Sequence, residues 1–173
     1  MKHSILSFLT IVIIINSVIS QTGWQQVTSA PGNVFRDFSF VSVETGYLMT
    51  PNQLIRTTDG GLSWTIVYDD TIPLYSVLFR NEATGFIGAK SKILKTTNGG
   101  LSWDLKFAFN FNFHDMEFSS DSNAIAIGFR YEVYGNVYAT VVHSHNNGES
   151  WFPVWQYSAG YFLNSIAYYD NNM

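Results

Sequence analysis

The chain has 173 residues, 46 % of them apolar, 17 % aromatic and 13 % charged, with a formal net charge of -4 and only nine Lys and Arg. That length and composition predict about one folded domain and exclude intrinsic disorder, and so few basic residues exclude a general nucleic-acid binder, which needs a positive face to neutralise phosphates. Cysteine is absent, which removes thiol catalysis and Cys-ligated zinc.

The first element is "MKHSILSFLTIVIIINSVIS", residues 1–20. Lys2 and His3 precede an apolar run from Ile5 to Ile15, and Val18 and Ser20 close it, which is the pattern of a secretory signal peptide cleaved near Ser20–Gln21. The competing reading, a transmembrane anchor, needs about 20 apolar residues, and this run is shorter. The expected product is secreted, periplasmic or surface-exposed, with no membrane span after cleavage. Without disulfides it must be held by its core and its sheet pairing.

From there on the chain repeats. One pattern, [ST]-x-[DN]-x-G-x-S-W, occurs three times: at Thr57, Asp59, Gly61, Ser63 and Trp64; at Thr96, Asn98, Gly100, Ser102 and Trp103; and at Ser144, Asn146, Gly148, Ser150 and Trp151. The first two copies are 39 residues apart, as Trp64 and Trp103 mark. The flanks keep step. "FRDFSFVSVETGY" from Phe35 aligns with "LYSVLFRNEATGF" from Leu74, "FHDMEFSSDSNAI" from Phe113 and "LNSIAYYDNNM" from Leu163. Within the first unit, period-two alternation bounded by Gly, Pro and Asn turn residues predicts four strands, at Asp37–Val41, Gly46–Thr50, Leu54–Thr57 and Trp64–Tyr68. Repeats of this size with four strands each are blades of a β-propeller.

Taken in order, the units are an orphan strand at 22–28, blades at 35–68, 74–107 and 113–156, and the first strand of a further blade at 163–173. "TGWQQV" at Thr22–Val27 resembles the box end and fourth strand "LSWTIV" at Leu62–Val67, so Trp24–Val27 is expected to be a closing strand. The third blade carries an insertion, "FRYEVYGNVYATVVHS", Phe129 to Ser144, which reads as strands two and three extended into a hairpin bearing Tyr131, Tyr134 and Tyr138. That hairpin serves either as packing and edge cover or as a partner-contact arm. The expected fold is all-β, an incomplete propeller of antiparallel blades. Its missing blades are to come from a longer chain or a partner, since propellers have about 4–8 blades. The expectation is of a fragment, a truncated gene product or a subunit that must pair.

The repeated pattern resembles the Asp-box, or bacterial neuraminidase repeat. The longer units "TGYLMTPNQLIRTTDGGLSW" and "TGFIGAKSKILKTTNGGLSW" are most similar to the photosystem II assembly/stability factor family and its secreted bacterial relatives. The resemblance implies that each box is the turn between strands three and four of a blade. The residue types suit that role: Asp or Asn can accept backbone N–H bonds, Gly tolerates positive φ, and Trp supplies apolar area, expected to wedge beside the next blade. A catalytic acid could not be Asn in two copies of three, and a calcium loop would need several carboxylates ending in a bidentate Glu.

In propellers of this kind the first strands line the channel and ligands bind at a mouth. The repeat-equivalent residues Arg36, Tyr75, His114 and Asn164, followed by Asp37, Ser76, Asp115 and Ser165, are therefore the candidate binding ring; otherwise they are solvated strand starts. The resemblance implies an interaction or assembly role without enzymatic activity, cofactor or metal, with a protein or a glycan as partner. The alternative is a sialidase-like glycoside hydrolase. "VFRDF" around Arg36 partly matches that family's first arginine motif, but the Ile-Pro that should follow is absent, Arg56, Arg80 and Arg130 sit elsewhere in the repeat, and no Tyr–Glu pair is visible. Asp37 and Asp115 are the pair that hydrolysis by two carboxylates would use. His143 and His145 are too few for a zinc site on their own, and no phosphate loop, triad or N-x-[ST] sequon is present.

Overall fold

The computed structural model describes residues 34–132, 136–158 and 163–167. The expected signal peptide, the expected strand at Trp24–Val27, Tyr134 and the chain beyond residue 167 lie outside the described residues. Every regular element among those described is a strand: β1 Asp37–Phe40, β2 Gly46–Met49, β3 Gln53–Thr57, β4 Thr65–Asp69, β5 Leu74–Phe79, β6 Gly85–Thr96, β7 Asp104–Phe118, β8 Ala124–Tyr131, β9 Val137–Ser144 and β10 Phe152–Ser158. They form one sheet in the order β1-β2-β3-β4 and another in the order β10-β9-β8-β7-β6-β5, antiparallel throughout.

The register repeats with the sequence. Strands one and two pair Phe40 with Gly46, Phe79 with Gly85 and Phe118 with Ala124. Strands three and four pair Arg56 with Thr65, Lys95 with Asp104 and His143 with Phe152. In this frame β6 covers both the second and the third strand of the middle blade, with Ser91 at φ 61° between them. Likewise β7 is the fourth strand of the middle blade run into the first strand of the third. Four separate short strands per unit are therefore found only in the first blade. The cause is local: Asp70-Thr71-Ile72-Pro73 breaks the chain between β4 and β5, whereas the matching link, "FAFNFNF" from Phe107, holds no Gly or Pro to stop a strand.

The apolar core lies mainly between blades. One cluster joins Tyr47, Met49 and Leu54 of the first blade to Leu74, Val77 and Phe79 of the second. The Tyr47 ring stacks on Phe79 at 3.4 Å, and its hydroxyl shares its one proton between the Glu82 and Gly99 carbonyls, each 3.3 Å away. A second cluster joins Phe86 and Ile93 to Phe113, Met116 and Trp151. Trp103 and Trp151 face the preceding blade, not the next one: Trp103 lies 5.7 Å from Tyr68, and Trp151 lies 6.5 Å from Phe86.

The insertion forms the extended hairpin, paired from Ala124–Ser144 out to Tyr131–Val137. Arg130 is held between the rings of Phe111 (4.8 Å) and Tyr138 (5.0 Å) and pairs with Glu132 at 2.7 Å. Tyr138 thus packs inward against the linking strand, while Tyr131 is exposed.

Candidate functional site

Each box is closed by one hydrogen-bond set, and its hub is the first residue. The Thr57 hydroxyl donates to Asp59 Oδ1 (2.8 Å) and accepts the Gly61 N–H (2.8 Å). Thr96 does the same with Asn98 and Gly100, and Ser144 with Asn146 and Gly148. The carboxylate or amide oxygen then accepts the N–H of the Ser four residues on, at 2.9, 2.9 and 3.0 Å. The last link explains why Asp and Asn interchange. Ser63 donates its hydroxyl to Asp59 Oδ2 at 2.6 Å, whereas Asn98 and Asn146 donate their amide to the Ser102 and Ser150 hydroxyls at 2.8 and 2.9 Å. A hydroxyl can play either part, so only the direction of the bond changes. Each Trp indole N–H then donates to the box Gly carbonyl.

These bonds hold the Asp59 carboxyl at a pKa of about 2, first through the Ser63 hydroxyl and N–H and then through Thr57. A lowered folded-state pKa contributes stability that is present above the unfolded value and is lost as pH falls towards the folded one. Asp59→Asn is therefore expected to fold as wild type at neutral pH. It should remove part of the stability loss between about pH 4 and about pH 2, read as urea midpoints across that range.

The structure brings one row of the candidate residues together. The Arg36 guanidinium lies 5.0 Å from the Tyr75 ring centroid, Tyr75 lies 4.3 Å from His114, and His114 stacks on Phe129 at 4.2 Å with planes 7° apart. Tyr131 continues the row at 5.6 Å from Phe129. Arg36 also donates to the Leu74 carbonyl at 2.6 Å. Burial, and then the Arg36 charge, lower the His114 pKa to about 4, so its ring is neutral at physiological pH; its Nε2 is buried with no hydrogen-bond partner. Asn164 is exposed. Phe129 was not among the sequence candidates. It lies in the insertion, outside the repeat frame, and reaches the row because β8 pairs it with Asn112 on β7.

The second row has a different occupation. Asp37 accepts the N–H of Phe38 (2.8 Å) and, across the blade boundary, that of Val77 (2.7 Å). Asp115 repeats this with Met116 (2.8 Å) and Ile166 (2.8 Å). Ser76 donates to the Phe113 carbonyl of the next blade at 3.1 Å. Burial raises the Asp37 pKa, its two N–H partners oppose the rise, and the Asp115 charge adds to it. Ser165 is exposed. The remaining arginines are engaged apart from one another: Arg56 over the Tyr47 ring, Arg80 with Asp121 and Asn147, and Arg130 with Glu132. His143 and His145 meet edge to face with ring centroids 3.6 Å apart, and His145 Nδ1 bonds Asn123 at 3.0 Å. Among the described residues no group of three or more His, Asp and Glu is placed to hold a metal ion.

Four-stranded antiparallel units, repeating in register and packed face to face, define a partial β-propeller. Over residues 16–103 the sequence matches the family described as photosynthesis system II assembly factor YCF48, and the chain belongs to that family. Among solved structures it is similar to YCF48 bound to D1 peptide, at TM-score 0.50 and 23 % identity over 69 % of this chain and 39 % of that one. It is also similar to YCF48 from Cyanidioschyzon merolae, at TM-score 0.52 and 18 % identity over 78 % and 47 % of the two chains. A third likeness is to an ancestral GH74 enzyme, at TM-score 0.63 and 21 % identity over 81 % of this chain and 20 % of that one. The chain thus spans less than half the length of each of these structures. No curated protein matches the sequence.

Proposed function

We propose that the chain is a non-enzymatic, secreted or surface-exposed propeller module that binds a polypeptide at its channel mouth. The observation that carries this is the row Arg36–Tyr75–His114–Phe129. His114 stacks on Phe129 and tilts against Tyr75, and the Arg36 guanidinium lies over the Tyr75 ring, so the ring faces are largely used within the row. A glycan platform needs free ring faces, and a row already stacked offers few. The exposed Arg36 supplies the charged end, a residue type that recurs at protein-binding hot spots. Family membership supports the reading, and one of the similar structures, a YCF48, holds a D1 peptide.

Both carboxylates of the hydrolase alternative are committed elsewhere. Asp37 and Asp115 each spend two oxygens on backbone N–H groups, and a general acid would have to give up such bonds to carry a proton. The reading is tested by fluorescence titration of the purified chain with the D1 peptide and, separately, with sialosides and xyloglucan oligosaccharides. Saturable peptide binding weakened at least tenfold by Arg36→Ala or His114→Ala is expected. Turnover of a glycoside, lost in Asp37→Asn, would overturn it. Export is tested independently by N-terminal sequencing of the mature protein, which should begin at Gln21; a product retaining Met1 and fractionating with membranes would show an anchor.

A further inference from the structure

Three junctions between successive repeat units are described, and their build alternates from one to the next. Where the Asp37-equivalent residue is Asp, one carboxylate oxygen caps the next N–H of its own blade and the other takes the matching N–H of the following repeat unit. The second bond is possible only if the following blade leaves that N–H free. Val77 and Ile166 do so because Ser76 and Ser165, not Asp, precede them. Where the residue is Ser, its hydroxyl instead donates to the following blade's carbonyl at Phe113. The strand across agrees: Asp37 and Asp115 pair with Met49 and Ile127, but Ser76 pairs with Gly88. A Cβ on Gly88 would fall 2.3 Å from Ser76 Oγ and 2.6 Å from the Phe113 carbonyl.

The outer face of the first blade is exposed where later blades are covered. Phe35 and Phe38 are 44 % and 67 % accessible, while Phe113 and Met116, their equivalents in the third blade, are 0 % and 3 %. This face also shares Asp37 with Asp115, Phe40 with Phe118 and Trp64 with Trp151. It therefore reproduces the surface with which the third blade docks on the second.

We propose that the face formed by Phe35, Phe38, Phe40 and Trp64 is a docking surface for a blade of the middle-blade type, with Ser at the Ser76 position and an aromatic ring at the Phe86 position. The serine donates to the Phe35 carbonyl, as Ser76 does to Phe113. The aromatic ring receives Trp64, as Phe86 receives Trp151. An aspartate-type blade does not fit, because Asp37 already caps Phe38 and leaves it nothing to accept. The match between this face and the one the third blade sets against the second, through Phe113, Met116 and Trp151, is what names its occupant.

The test extends the full chain. A copy of residues 74–112 is inserted before residue 35, and in a second version a copy of residues 35–73 is inserted there. The first insertion should raise Tm and abolish 8-anilinonaphthalene-sulfonate binding at the Phe38 face; the second should do neither. A third version, carrying Phe86→Asp in the inserted copy, should lose the gain. Equal gains from both blade types would overturn the serine rule, and no gain from either would overturn the docking surface. Sedimentation of the unextended chain gives a further check: self-association abolished by Phe38→Asp would make a second copy the occupant and overturn the proposal.

Discussion

Tyr47→Ala is expected to cost about 3–5 kcal/mol, the range for truncating a buried aromatic. The ring is fully buried and stacked on Phe79 across the first blade joint. Its removal also takes away the hydroxyl's shared bond to the second blade's loops. Tyr47→Phe keeps the stack and loses only that bond, so about 1 kcal/mol is expected. Urea unfolding of the three proteins checks both figures. A Tyr47→Ala change no larger than Tyr47→Phe would show that the stack between blades is not where the stability lies.

Gly148→Ala should be nearly as damaging, at about 2–4 kcal/mol from left-handed backbone and overpacking together. Gly148 has φ 71°, and a Cβ there would meet the Phe86 ring at 2.3 Å. Phe86 is fully buried beneath Trp151 and Phe118, so its ring has nowhere to turn. Gly60 is the control. It has the same positive φ, but its nearest obstacle is the Val43 carbonyl at 3.3 Å. Its equivalent in the third box is Asn147 at φ 58°, a residue type that accepts this conformation. Gly60→Asn should therefore lie within about 0.5 kcal/mol of wild type. Equal losses at Gly148 and Gly60 would remove the steric part of the account.

The local elements were legible because their signals are local. Alternation of Phe38 and Phe40 with polar neighbours, and the Asp59-Gly60-Gly61 turn, place strands and box within a residue or so of where they lie. Relations between blades were less legible. The sequence credits Asp or Asn with accepting backbone N–H bonds, and they accept that of the Ser four residues on; that the Thr57 hydroxyl is the hub becomes visible only with the hydrogen bonds in place. Sequence reasoning sent Trp103 and Trp151 towards the wrong neighbour, since composition carries no direction around a ring. The Tyr75–His114 contact follows from the 39-residue offset, which sets equivalent first-strand residues side by side. Phe129 does not, because an insertion has no equivalent to be aligned with. The use of Asp37 and Asp115 as joints was equally hidden: a carboxylate at a strand start reads the same whether it faces solvent or the N–H of a residue 40 positions away.

The division of labour between box and mouth is the central claim, and one titration tests it most directly. Asp59→Asn and Arg36→Ala are compared with wild type for binding of the D1 peptide at neutral pH, with circular dichroism confirming that all three are folded. The account predicts that the box variant binds as wild type and that the mouth variant loses at least tenfold. A folded Asp59→Asn protein that no longer binds, beside an Arg36→Ala protein that does, would contradict it.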